Sequence, residues 1–160
     1  MIWYNRPAVS IEESYNFRRI DERLTTSGVV STAQLSDLRA EGYDALINLL
    51  PDTNEHAVAD EARIVREQGL DYVYIPVAFE APRHSDLEAF SDALDSLTSK
   101  KTHLHCAANY RVSAFYGLYA LRRGLCTEAY ADALVSDLWD PADHPIWQAF
   151  ITDERKRIGP

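Results

Sequence analysis

The residues best suited to chemistry fall in one run, His105-Cys106-Ala107-Ala108-Asn109-Tyr110-Arg111-Val112-Ser113. It holds a thiol, a guanidinium and a hydroxyl, with two alanines and an asparagine after the thiol. Small residues let a loop curl so that successive backbone N–H groups converge. A following helix turns its positive end to the same point, and an arginine adds a fork of donors. Such a bowl fits a tetrahedral oxyanion. Its field also favours thiolate over thiol, which makes a cysteine at its base a nucleophile. The expected nucleophile is therefore Cys106. The expected oxyanion cradle is Ala107, Ala108, Asn109, Tyr110 and Arg111, with the hydroxyl of Ser113 close behind.

Other reactive side chains have plainer readings. Cys126 lies between Leu125 and Thr127 without comparable neighbours and reads as packing. His103, His105 and Cys106 resemble a metal set in composition, since imidazole and thiolate both suit zinc. Strand alternation, however, sends the two histidines to one face and the cysteine to the other, so no metal is expected. His105 is instead expected to orient the loop through a backbone hydrogen bond. Tyr116, Tyr119, Tyr130, Trp139 and Trp147 have helical spacing and read as packing between helices. Lys100-Lys101 reads as a solvated turn. Asp52, Asn54 and Glu55 follow a strand and either rim the pocket or, for Asn54, cap a helix.

The elements that must position the run can be read around it. Ser31-Thr32-Ala33-Gln34 is a capping-box pattern that opens a helix expected over Thr32 to Glu41, with Gly42 as its stop. The apolar run from Ala45 to Leu50, ended by Pro51-Asp52, predicts a buried strand. A polar-rich helix follows and ends at Gly69. Asp71 to Val77 is aromatic and β-branched, which predicts another strand. Ser85-Asp86-Leu87-Glu88 repeats the capping box ahead of the face formed by Leu87, Phe90, Leu94 and Leu97. Thr102 to His105 is a short strand running straight into Cys106. Val112, Phe115, Tyr116 and Tyr119 then mark a helix stopped by Gly124. Two more helices are predicted, from Thr127 to about Leu138 and from Pro145 to about Arg157. Strands alternating with helices predict an α/β fold with a mainly parallel sheet, flanked by helices on both faces and followed by a helical C-terminal tail. Sites in such sheets gather where strands hand over to helices.

Composition sets the frame. The 160 residues are 46% apolar and 26% charged, enough for one core and one domain spanning 1–160. Sixteen basic against twenty-five acidic side chains give a formal charge of −9, which disfavours nucleic acid and anionic membranes as partners. An anionic ligand must be held locally. The start MIWYNRPAVSIEESYNF has no leader pattern, and no run approaches a membrane span. Two cysteines separated by a helix lie beyond disulfide reach, and reduced thiols suit a cytoplasmic setting.

The Cys106 run resembles the active-site loop of protein tyrosine and dual-specificity phosphatases, whose pattern is His-Cys, five residues, Arg, then Ser or Thr. Thr26-Ser27-Gly28, the helix to Gly42, Ile47-Asn48-Leu49, the step from Gly69 to Tyr72 and Ile75-Pro76-Val77 extend the likeness. Together they are similar to the bacterial beta-lactamase-hydrolase-like phosphatase family over roughly residues 20–121, with the last two helices outside. The resemblance implies phosphomonoester hydrolysis without a cofactor on a phosphorylated protein or small molecule. Cys106 would attack phosphorus to form a phosphocysteine, Arg111 would clamp the phosphoryl oxygens, and Ser113 would stabilise the thiolate.

Two departures stand out. Four residues separate Cys106 from Arg111 where the phosphatase pattern has five, a spacing closer to rhodanese-like sulfurtransferases, yet Ser113 keeps its usual distance from the cysteine. The family's general-acid aspartate follows the strand matching Tyr72 to Ile75; Phe79 falls near that position and Glu80 is next. Glu80 is the expected acid, with Asp86 behind it. The alternatives are sulfur transfer and a catalytically silent module that binds phospho-ligands.

Overall fold

In the computed structural model, residues 9–159 are described; residues 1–8, which carry part of the leader reading, and residue 160 lie outside them. Five strands form one sheet: β1 (Arg18–Arg19), β2 (Leu24–Ser27), β3 (Ala45–Asn48), β4 (Asp71–Tyr74) and β5 (Thr102–His105). Their order is β1-β2-β5-β3-β4, with β1 antiparallel to β2 and every other pair parallel. β5 is central, with Leu104 opposite Thr26 on one side and Ile47 on the other. The loop after it therefore leaves from the middle of the sheet's C-terminal edge, as the sequence predicts.

Alternation along the strands divides the core in two. Ala45, Ile47, Leu49, Leu104 and Cys106 face the larger cluster, built with α3 (His84–Ser96), α4 (Tyr110–Arg122) and Trp147 of α6 (Pro145–Ile158). Phe90 and Phe115 meet there edge to face at 5.6 Å, worth about 0.5–1.5 kcal/mol beyond their area burial. Leu46 faces the smaller cluster, with Leu35 of α1 (Thr32–Ser36), Leu38, Tyr43 and Val65 of α2 (Glu61–Glu67). His103 packs on that side against Phe17 and Tyr43. α5 (Glu128–Ser136) lies against α4, where the Gly117 surface meets Ala131.

Several boundaries differ from the sequence reading. The first helix stops at Ser36 because Gln68, which caps α2, takes over its backbone groups: its amide donates to the Leu35 carbonyl (2.8 Å) and accepts from the Arg39 N–H (3.0 Å). β4 ends before Pro76, which has no N–H for the ladder. α3 begins at His84 rather than after Ser85, with the Asp86 carboxylate accepting from the Arg83 N–H at 3.0 Å. β1 and β2 had no counterpart in the periodicity. The Ser31–Gln34 capping box is present with both reciprocal bonds. Both cysteines are free, and no described helix is long and apolar enough to cross a membrane.

Candidate functional site: the loop after β5

Between β5 and α4 only four residues intervene, so the chain must turn at once. Asn109 makes that turn in the left-handed region (φ 69°), which asparagine tolerates better than most residues. The loop is held from outside. Val29 N–H donates to the Ala107 carbonyl (2.8 Å), the Asn16 amide to the Ala108 carbonyl (2.9 Å), and the Asn109 amide to Asn16 O and Thr26 Oγ1 (both 2.9 Å). With its carbonyls so engaged, the backbone N–H groups from Ala107 to Val112 donate to no protein acceptor among the described residues. Six successive amides without a protein acceptor thus precede and begin a thirteen-residue helix. The floor is tight: a Cβ on Gly28 would lie 2.5 Å from the Ala107 oxygen and 2.9 Å from the Ala108 Cα.

Cys106 stands at the base of this loop, fully buried against the larger core cluster. Arg111 is also buried. Its Nη1 donates to the Val77 carbonyl (2.8 Å), its guanidinium lies over the Phe79 ring at 5.4 Å, and its Nε has no partner. The guanidinium thus spends one nitrogen on the protein and keeps its Nε edge unpaired. Asn109 Oδ1 is a second buried polar atom without a partner. Each such orphan costs about 1–3 kcal/mol, and both belong to residues of the unpaired run.

The remaining expected residues sit differently. Ser113 Oγ donates to the Tyr110 carbonyl (3.1 Å) and accepts from Trp139 Nε1 (3.0 Å), so its one proton is directed away from the Cys106 sulfur in this arrangement. Glu80 occupies the exposed tip of the turn closed by Ala81 N–H on the Ala78 carbonyl, while Phe79 points inward. Asp86 is committed to Arg83 and buried at the start of α3. Among the described residues no group of three or more His, Cys, Asp and Glu is placed to hold a metal.

Sequence reasoning missed four contributors. Asn16 and Gly28 brace the loop, and of these only Gly28 carried a signal, in the Thr26-Ser27-Gly28 stretch. Glu61 accepts from or donates to His105 Nε2 at 2.6 Å, both nearly inaccessible, while His105 Nδ1 stands 3.4 Å from the Cys106 carbonyl. On the same face His103 bridges Thr25 and Ser27, and burial pushes its imidazole well below the usual histidine range. The fourth contributor is the tail: Tyr110 stacks on Trp139 at 4.8 Å, Trp147 Nε1 donates to the Phe79 carbonyl (2.7 Å), and His144 sits among them. Trp139 and Trp147 do pack between helices, as expected, but the packing closes over the loop.

No family model matches the chain. A protein of Shewanella putrefaciens CN-32 described as "Putative phosphatase (DUF442)" superposes with a TM-score of 0.84 at 36% identity, covering 94% of this chain and 97% of that one. The "Beta-lactamase hydrolase-like protein" of Agrobacterium fabrum is 30% identical over 103 residues, 62% of this chain; the chain spans 24% of that relative's length. TpbA of P. aeruginosa, solved in complex with pTyr, shares the fold at a TM-score of 0.67 and 12% identity, over 89% of this chain and 90% of that one. A mostly parallel five-stranded sheet ending in a braced loop, with near end-to-end similarity to the Shewanella protein, places the chain in the DUF442 family of phosphatase-like proteins.

Proposed function

We propose that the protein is a phosphomonoester hydrolase working through a phosphocysteine on Cys106. The observation that carries this reading is the row of six unpaired amides from Ala107 to Val112, with the unpaired Nε of Arg111 beside it. Phosphoryl oxygens supply the acceptors these donors lack. The Cys106 thiolate attacks phosphorus opposite the ester oxygen. The S–P bond forms as the P–O bond breaks, and its electron pair leaves on the ester oxygen. Water then attacks phosphorus, the S–P pair returns to sulfur, and inorganic phosphate departs. The amides stabilise the charge spread over the equatorial oxygens in both steps. Cys106 and Arg111 are both buried, so binding a phosphoryl group requires local movement around the loop. The substrate is a phosphorylated protein or small molecule.

Purified protein should release phosphate from an aryl phosphate without added metal, and Cys106→Ser should abolish release. Equal inactivity of both proteins over a broad pH range, with the fold intact, removes the reading. The burial of Cys106 favours a second reading, a silent module that binds phospho-ligands. That module would retain oxyanion binding in Cys106→Ser and turn nothing over. The four-residue spacing favours sulfur transfer, which would leave one added sulfur on Cys106 after incubation with thiosulfate.

A further inference from the structure

Breaking a P–O bond to an unactivated alcohol requires a proton on the departing oxygen, and the anion loop offers only amides and a guanidinium that stays protonated. The turn after β4 presents Phe79 inward and Glu80 at its exposed tip. What packs against the inward ring is His144, the residue just before α6. Its imidazole meets Phe79 edge-on at 5.3 Å and lies 6.0 Å from the Tyr110 ring and 5.5 Å from Trp139. The Phe79 ring also neighbours Trp147 at 5.6 Å, Tyr110 at 6.4 Å and the Arg111 guanidinium at 5.4 Å. His144 is half-buried, and its ring nitrogens have no hydrogen-bond or ion-pair partner among the described residues. Two ties fix its position relative to the loop: Trp139 Nε1 on Ser113 and Trp147 Nε1 on the Phe79 carbonyl.

We propose that His144 is the proton donor of this site, brought by the C-terminal tail to the side where the β4–α3 turn has a phenyl ring. The inference rests on the phosphocysteine reading. As the P–O bond breaks, its electron pair takes a proton from the imidazolium, leaving a neutral ring and a free alcohol. The neutral ring then accepts a proton from the water that attacks the phosphocysteine, while the S–P pair returns to sulfur. Imidazolium and thiolate are thus restored together. The phosphoryl dianion bound beside the ring supplies the imidazolium's counter-charge. His144 adjoins the Tyr110 ring directly and shares the Phe79 ring with Arg111.

The test compares an activated ester, para-nitrophenyl phosphate, with unactivated phenyl phosphate, reading release of the alcohol in a single turnover so that only the first step is measured. His144→Phe keeps the aromatic packing and removes the proton. The His144 side chain makes no cap hydrogen bond to α6, so the helix start survives. The rate spread between the two esters should widen by about 10²–10⁴ in His144→Phe and also in His144→Gln, while Glu80→Gln keeps the wild-type spread. An unchanged spread in both His144 variants, or a widened spread in Glu80→Gln alone, overturns the assignment. Cys106-dependent release by the wild type is the control: if it persists while the His144 result fails, only the donor is wrong, and if it is absent, both readings fall.

Discussion

Substituting Gly28 by alanine tests the geometry of the anion loop without touching a reacting group. The added Cβ would stand 2.5 Å from the Ala107 oxygen and 2.9 Å from the Ala108 Cα, about 1 Å inside ordinary carbon contact distances. Both obstructing atoms are backbone, and neither is free to yield. The Ala107 carbonyl is held by Val29 N–H and the Ala108 carbonyl by Asn16. Overpacking of this kind costs about 1–3 kcal/mol. If relief comes from shifting the loop by about 1 Å, turnover falls about 10²-fold as well. Gly117 provides the matched control. A Cβ there meets Ala131 at an ordinary 3.5 Å, and relief of a mid-helix glycine in α4 gains about 0.5–1 kcal/mol. Urea unfolding of Gly28→Ala and Gly117→Ala, with kcat/KM on an aryl phosphate, should move the two proteins in opposite directions in stability and only the first in activity. A Gly28→Ala protein matching wild type in both measurements would refute the claim that this contact sets the loop.

Three further outcomes are expected. Glu61→Ala leaves the buried His105 Nε2 without its 2.6 Å partner and should cost about 1–3 kcal/mol in urea unfolding, whereas Glu61→Gln recovers part of the loss; equal losses count against a hydrogen-bonding role. Glu154 is buried between His84 (2.8 Å) and Arg122 (3.5 Å), so Glu154→Ala should cost a similar amount, about 1–3 kcal/mol, and loosen α6, seen as a shift in Trp147 fluorescence. Burial pushes the phenols of Tyr116 and Tyr119 up to about 12 from the ordinary 10.0, with the Asp95 carboxylate adding to the second. Below pH 10 folded and unfolded chains both keep these protons. Between pH 10 and about 12 the unfolded chain loses them first, so stability should fall as pH rises through that window. Urea midpoints taken alongside phenolate absorbance check this, and a flat stability profile there contradicts it.

Much of the candidate site was legible because it is local. The Cys106–Arg111 run sits at a strand-to-helix junction, and alternation alone separated His103 and His105 from Cys106. What stayed hidden depends on distant partners. β2 reads Leu-Thr-Thr-Ser and shows no apolar pattern, since two of its buried positions are filled by hydroxyls that bond His103. The first helix is cut short by a glutamine that caps another helix. The partners of Ser113 were hidden too: its hydroxyl donates to the Tyr110 carbonyl and accepts from a tryptophan twenty-six residues on. Glu61 and His144 lie forty-four and thirty-three residues from the histidine and the Arg111 they adjoin in space, directly or across Phe79, and no short motif marks either.

The unequal faces of the sheet also imply unequal resistance to opening. The layer formed by α1 and α2 rests on the smaller apolar cluster, whereas α3, α4 and α6 share the larger one. In deuterium exchange of the native protein, amides of the thin layer should trade first, as a cooperative unit of low local stability. Amides of β5 and the α4 interior should be among the last, which sets the anion loop on the slowest-exchanging part of the molecule.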